Sequence, residues 1–147
     1  MNIAILAALL GSWSFFGFIY RGEEMAPINP KLHIEMSFRA DGENSLVYWR
    51  EDEEGLCERK AKYEISDCSP DGDFQSCQLY QKVIWLNPKN RSDCSKDPDM
   101  QMDKESWSAI SVSKEEFQLN APLGSESLTF RFARPPEEEM AFSSAQP

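Results

Sequence analysis

The feature that most constrains this chain is a period of two. In EEFQLNAPLGSESLTFRFARPP, residues 115–136, Phe117 and Leu119 stand two apart, and Leu128, Phe130 and Phe132 keep that spacing. Side chains alternate between faces along a strand, so this spacing gives each of two strands one apolar face, with a turn between them. The pattern recurs upstream. Leu32, Ile34, Met36 and Phe38 share a face, with Lys31, His33, Glu35, Ser37 and Arg39 opposite. Asp41-Gly42 marks a turn, after which Val47 and Trp49 alternate against Leu46 and Tyr48. Ala61, Tyr63 and Ile65 define a further strand, and CQLYQKVIWLNP a partner for it across the turn Pro70-Asp71-Gly72. Residues 88–104 are polar and acidic and read as a loop. Residues 106–112 read as a short strand with Trp107 and Ile110 turned inward.

Residues 3–20, IAILAALLGSWSFFGFIY, carry no charge. Ile3 to Leu10, followed by Ser12 and Ser14, fits the apolar core and small cleavage-site residues of a secretory signal. The run also approaches the length of a membrane anchor. A helix buried within the domain is the third alternative. The expected division is a signal peptide or signal anchor over 1–22, a folded domain over 27–134, and a Pro- and Glu-rich tail over 135–147. Both export readings put the domain outside the cell, secreted or on the outer face of the membrane.

The cysteines agree with export. Cys57, Cys68, Cys77 and Cys94 are even in number, and no two lie close enough for the C-x-x-C of a zinc site. Two disulfides are expected, with three connectivities open. Pairing the two strands around Pro70-Asp71-Gly72 favours Cys68 with Cys77 inside Cys57 with Cys94. In an exported chain Asn90-Arg91-Ser92 is a glycosylation sequon.

The chain has 147 residues, enough for one domain, and a formal net charge of −10. Without a basic surface there is nothing to displace counterions from phosphates, so nucleic acid and anionic lipid are excluded as partners. A single histidine, His33, stands on the polar face of its strand. No G-x-S-x-G and no phosphate loop accompany it, so neither enzyme activity nor a cofactor is expected. The segment DPDMQMDKE has carboxylates but not the glycine or ligand spacing of a calcium loop, so no metal is assigned.

Short alternating strands in an acidic, exported chain point to an all-β antiparallel sandwich of about seven strands. The order of the motifs resembles a fibronectin type III domain. Pro30, Leu32 and Ile34 match its first strand, Trp49 its core tryptophan, and Tyr63-Glu64-Ile65 its Tyr-x-Ile. Leu123 and Gly124, then Leu128, Phe130, Phe132 and Ala133, follow its closing motif. The resemblance implies that Trp49 packs in one layer with Phe130 and Phe132. The paired cysteines are similar to those of cytokine receptors, and ESWSAIS echoes half of a motif of that branch. A receptor-like or adhesion module holding an extracellular protein ligand, such as a cytokine, is then the expected function. Contact candidates are Asp97, Asp99 and Asp103 on the acidic loop, with Tyr80 and Trp107 at the rim of the core. The alternatives are a secreted small-molecule carrier with a barrel fold, or a secreted inhibitor.

Overall fold

Alternation buries one face of every strand, but the strands curl into a single closed sheet and do not stack as two. This corrects the sandwich expectation. The computed structural model describes residues 3–135, and all but Pro135 of the expected tail lies outside them. A short helix α1 (Ile3–Leu9) leads into β1 (Gly11–Tyr20) and the three-residue β2 (Glu23–Met25). Then follow β3 (Leu32–Phe38), β4 (Glu43–Arg50), β5 (Cys57–Asp71), β6 (Phe74–Leu86), β7 (Glu105–Val112), β8 (Glu116–Leu123) and β9 (Glu126–Ala133). Apart from β2, each strand pairs antiparallel with its neighbour in sequence, and β1 pairs with β9 to close an eight-stranded barrel. β2 adds outside the ring as a hairpin on β1.

Closure depends on β1, which comes from the uncharged run expected as signal or anchor. Its alternation is broken by a bulge between Phe15 and Gly17, so Phe15 and Phe18 both share the face of their β9 partners Phe132 and Phe130, and Trp13 that of its β3 partner Met36. Gly17 permits the hairpin. A Cβ there would stand 2.7 Å from the Met25 carbonyl oxygen. Gly11, at φ +102°, turns the chain sharply from helix to strand.

One end of the barrel is filled. Trp13, Phe38, Phe117 and Phe132 are almost wholly buried there, and Leu9 of α1 packs onto them. The indole N–H of Trp13 donates to the Leu9 carbonyl at 2.8 Å. The Arg134 guanidinium lies 3.7 Å from the ring's centre and donates to the Ala8 carbonyl at 2.6 Å. Helix, first strand and the end of the last strand are thereby tied together around one side chain. Trp49 has no such place. It is half-buried, stacked on His33 at 5.2 Å, on the outer side of β4, because the inward phase of that strand belongs to Asn44, Leu46 and Tyr48. The layer expected for Trp49 is therefore built around Trp13.

The two disulfides are Cys57–Cys94 and Cys68–Cys77. The second staples the β5–β6 hairpin near its turn, where Asp71 faces Phe74. The first fastens the long 87–104 segment to β5. Two disulfides fit an extracellular location.

Candidate functional site

The other end of the barrel is not filled but lidded. Residues 87–104 leave β6, run across the mouth as two 3-10 turns (Ser92–Lys96 and Pro98–Met100), and return to β7. Both ends of this segment are clamped. The Asn90 amide accepts from the Glu58 backbone N–H at 2.8 Å and donates to the Glu58 carbonyl at 3.0 Å. Cys94 is bonded to Cys57, and at the return the Val83 carbonyl accepts from the Asp103 N–H at 3.1 Å. Met100 is buried beneath it.

Between this lid and the rim of β3 and β4 opens a recess of about 370 Å³. Its wall includes Leu32, Tyr48, Arg50 and Cys57, all on the inward phase of their strands, with Cys94 and Asp97 from the lid. Further round, the inward-facing Phe15, Ile34, Leu119 and Phe130 are only half-buried, whereas their counterparts at the α1 end are sealed. The ladder between β7 and β8 also stops early. Only Ile110 to Val112 pair with β8, so residues 105–109 have no hydrogen-bonded neighbour on that side among the described residues. An eight-stranded barrel is just wide enough for its side chains or for one small ligand. Here the first solution holds at one end and the apolar lining is left accessible at the other.

On the inward faces of β4, β5 and β6 is a buried polar cluster. Arg59 lies one inward position beyond Cys57 on β5, ~7 Å deeper along the strand, and is 4% exposed. Its Nη1 donates to Asn44 Oδ1 at 2.8 Å and its Nη2 to Gln81 Oε1 at 2.9 Å. Asn44 in turn donates to Gln81 at 2.8 Å. Among the described residues the Nε–H of Arg59 has no hydrogen-bond acceptor, and that of Arg50 at the recess wall faces Asp52 only at 3.9 Å. Burial pulls the Arg59 guanidinium down to about 10, only partly countered by the charge of Asp99.

The sequence-derived candidates fall in three places. Asp97 faces inward, accepting a hydrogen bond from the Tyr48 hydroxyl and capping the second 3-10 turn at the Asp99 N–H. Burial and that bond raise the Tyr48 hydroxyl well above its usual range. Asp99 is exposed, yet desolvation of its carboxyl and the nearby Asp97 raise its pKa against the pull of Arg59 and Lys104. Asp103 is exposed at a turn with φ +63°. Tyr80 and Trp107 lie elsewhere, with the Tyr80 hydroxyl donating to Glu105 at 2.5 Å. They pair across β6 and β7 on the outside of the barrel, ring centres 5.0 Å apart, with Trp107 67% exposed. The expected inward turn of Trp107 is thus corrected, while Ile110 does face inward. Cys57, Cys94 and Asp93 lie close together, but both sulfurs are consumed by the bridge and offer no thiolate to a metal.

Arg59, Asn44 and Gln81 were not among the sequence candidates, though a signal was present. Arg59 has the phase of Ala61, Tyr63 and Ile65, Gln81 that of Leu79 and Val83, and Asn44 that of Leu46. Comparison with protein-family models, with curated proteins and with solved structures finds no match to this chain.

Proposed function

We propose that the protein is a carrier that holds a small, largely apolar molecule in the lidded end of its barrel. The observation that carries this reading is the recess of about 370 Å³ at the end of the barrel where inward-facing apolar side chains stay only half-buried. Pockets for small molecules are concave, mostly apolar and of about 300–1,000 Å³, with few polar groups to fix orientation. The lid, clamped by a disulfide and by Asn90, restricts access from solvent without filling the interior. On this reading the protein acts by binding and release. The disulfides favour an extracellular setting for that work. Titration with the neutral fluorophore N-phenyl-1-naphthylamine tests the proposal. Saturable binding at one site per chain, abolished by filling the interior with Leu119→Trp, is expected. Enhancement that is linear and indifferent to that substitution would overturn it.

A second reading rests on the outer surface. Trp107 and Tyr80 form an exposed aromatic pair beside the unpaired stretch of β7, the kind of anchor a protein partner uses. An extracellular protein ligand would dock there, away from the recess. Trp107→Ser should then abolish capture of such a partner and leave fluorophore binding unchanged. Retained capture by that variant would remove this reading.

A further inference from the structure

We propose that the molecule held in the barrel carries a carboxylate, and that Arg59, oriented by Asn44 and Gln81, receives it. The inference rests on the carrier reading above and adds the chemistry of the guest. A buried cation is ordinarily paired, because taking an unpaired charge out of water costs several kcal/mol. Arg59 is not paired. Its two contacts are neutral amide oxygens, it makes no ion pair among the described residues, and its Nε–H is left without an acceptor. Asp99 acts on it only at a distance, from an exposed turn of the lid. Leu46 opposite Arg59 and Ala61 beyond it are apolar, and the inward carboxylate of Asp97 is taken up by the Tyr48 hydroxyl, so the fold supplies a preoriented donor and bonds no anion to it.

The two amides explain why Arg59 stays in place when nothing is bound. Gln81 Oε1 accepts from both Arg59 and Asn44, and Asn44 Oδ1 accepts from Arg59, so the three side chains fix one another. The edge of the guanidinium that bears Nε is buried and meets no acceptor among the described residues, so a guest oxygen reaching it would displace no existing hydrogen bond. A carboxylate matches this edge in charge and in number of acceptors, since it brings one negative charge and two oxygens. A phosphate monoester would bring nearly two charges, and only one buried positive charge is at hand. Arg50, at the recess wall, already faces Asp52 at 3.9 Å and Glu53 at 3.6 Å, so Arg59 is the guanidinium left to receive the anion. The apolar tail of such a guest would lie against Phe15, Phe130 and Leu119.

The test compares decanoate with 1-decanol, which share a tail, by displacement of N-phenyl-1-naphthylamine from the full chain. Decanoate is expected to bind at least about tenfold more tightly, equivalent to ~1.4 kcal/mol. Arg59→Met should erase that preference while 1-decanol keeps its affinity within about threefold, a limit of ~0.7 kcal/mol. Should that variant fail to fold, the wild-type comparison stands alone, together with the ¹H–¹⁵N signal of the Arg59 Nε–H. That signal should move on adding decanoate and stay still with 1-decanol. Equal affinities in the wild type, or a preference that survives Arg59→Met, would overturn the inference while leaving the carrier reading intact. Failure of the fluorophore and of both amphiphiles to bind would overturn both.

Discussion

Replacing Trp13 by alanine tests whether residues 3–20 belong to the folded barrel. Trp13 is 0% exposed, with its ring 5.8 Å from that of Phe117. Truncating a buried tryptophan costs about 3–5 kcal/mol through lost transfer energy and the cavity left behind. The lost hydrogen bond to the Leu9 carbonyl adds ~1 kcal/mol, and loss of the aromatic face beneath Arg134 about 0.5–1 kcal/mol. The expected total is about 4.5–7 kcal/mol, a large share of the roughly 5–15 kcal/mol that stabilises a domain. Urea unfolding followed by far-ultraviolet circular dichroism reads it without relying on the missing fluorophore. A cycle with Arg134→Gln should return a coupling of ~1 kcal/mol between the two residues. A loss below about 1 kcal/mol for Trp13→Ala, or no coupling, would refute the placement of α1 and β1 in the barrel.

Removing the Cys57–Cys94 bridge as a double serine variant should cost about 2–4 kcal/mol and raise hydrogen exchange at the amides of Cys94 and Met100; unchanged exchange would mean the lid is held by other contacts. Asn90→Ala should cost about 1–3 kcal/mol, since it leaves the Glu58 backbone groups without their partners, and the same urea assay measures it. Burial pushes the Glu116 carboxyl up, but hydrogen bonds from Arg131 and Gln118 outweigh it and hold the pKa below its ordinary value near 4.5. The unfolded chain then binds that proton more readily. The stabilisation is present above the ordinary value and is lost as pH falls through the lower folded one. Glu116→Gln should flatten the acid limb of stability against pH, and an unaltered limb would show that Glu116 does not contribute to it.

Most strands were legible because alternation is a local property. β3, β4, β8 and β9 lie where Leu32 to Phe38 and Phe117 to Phe132 placed them, and the β5–β6 hairpin turns beside Asp71. The closure was not legible, because the same inward phase serves a sandwich or a barrel, and only the pairing of β1 with β9 distinguishes them. β1 itself was masked. Phe16 faces outward beneath Arg131, and the bulge after Phe15 shifts the phase, so apolar residues occupy both faces and the run reads as continuous. Trp49 drew attention as the aromatic in a clear strand, yet its phase opposes that of Leu46. The polar cluster was hidden by composition. In CERKAKYEI, Arg59 is one charge among several, and only its parity with Ala61 and Tyr63 separates it from Lys60 and Lys62. The acidic segment reads as a loop offering Asp97, Asp99 and Asp103 to a ligand, because sequence does not reveal that Cys94 and Asn90 pull it across the mouth of a barrel.

The central claim is that an apolar guest occupies the lidded end of the barrel interior. Photolabelling reads this directly. A neutral alkyl diazirine, bound at one equivalent, irradiated and mapped by peptide mass spectrometry, should mark Phe15, Ile34, Leu119 and Phe130, and decanoate should compete the labels away. Labels confined to the outer surface at Trp107 and Trp85, or labels at the interior that excess decanoate leaves untouched, would contradict it.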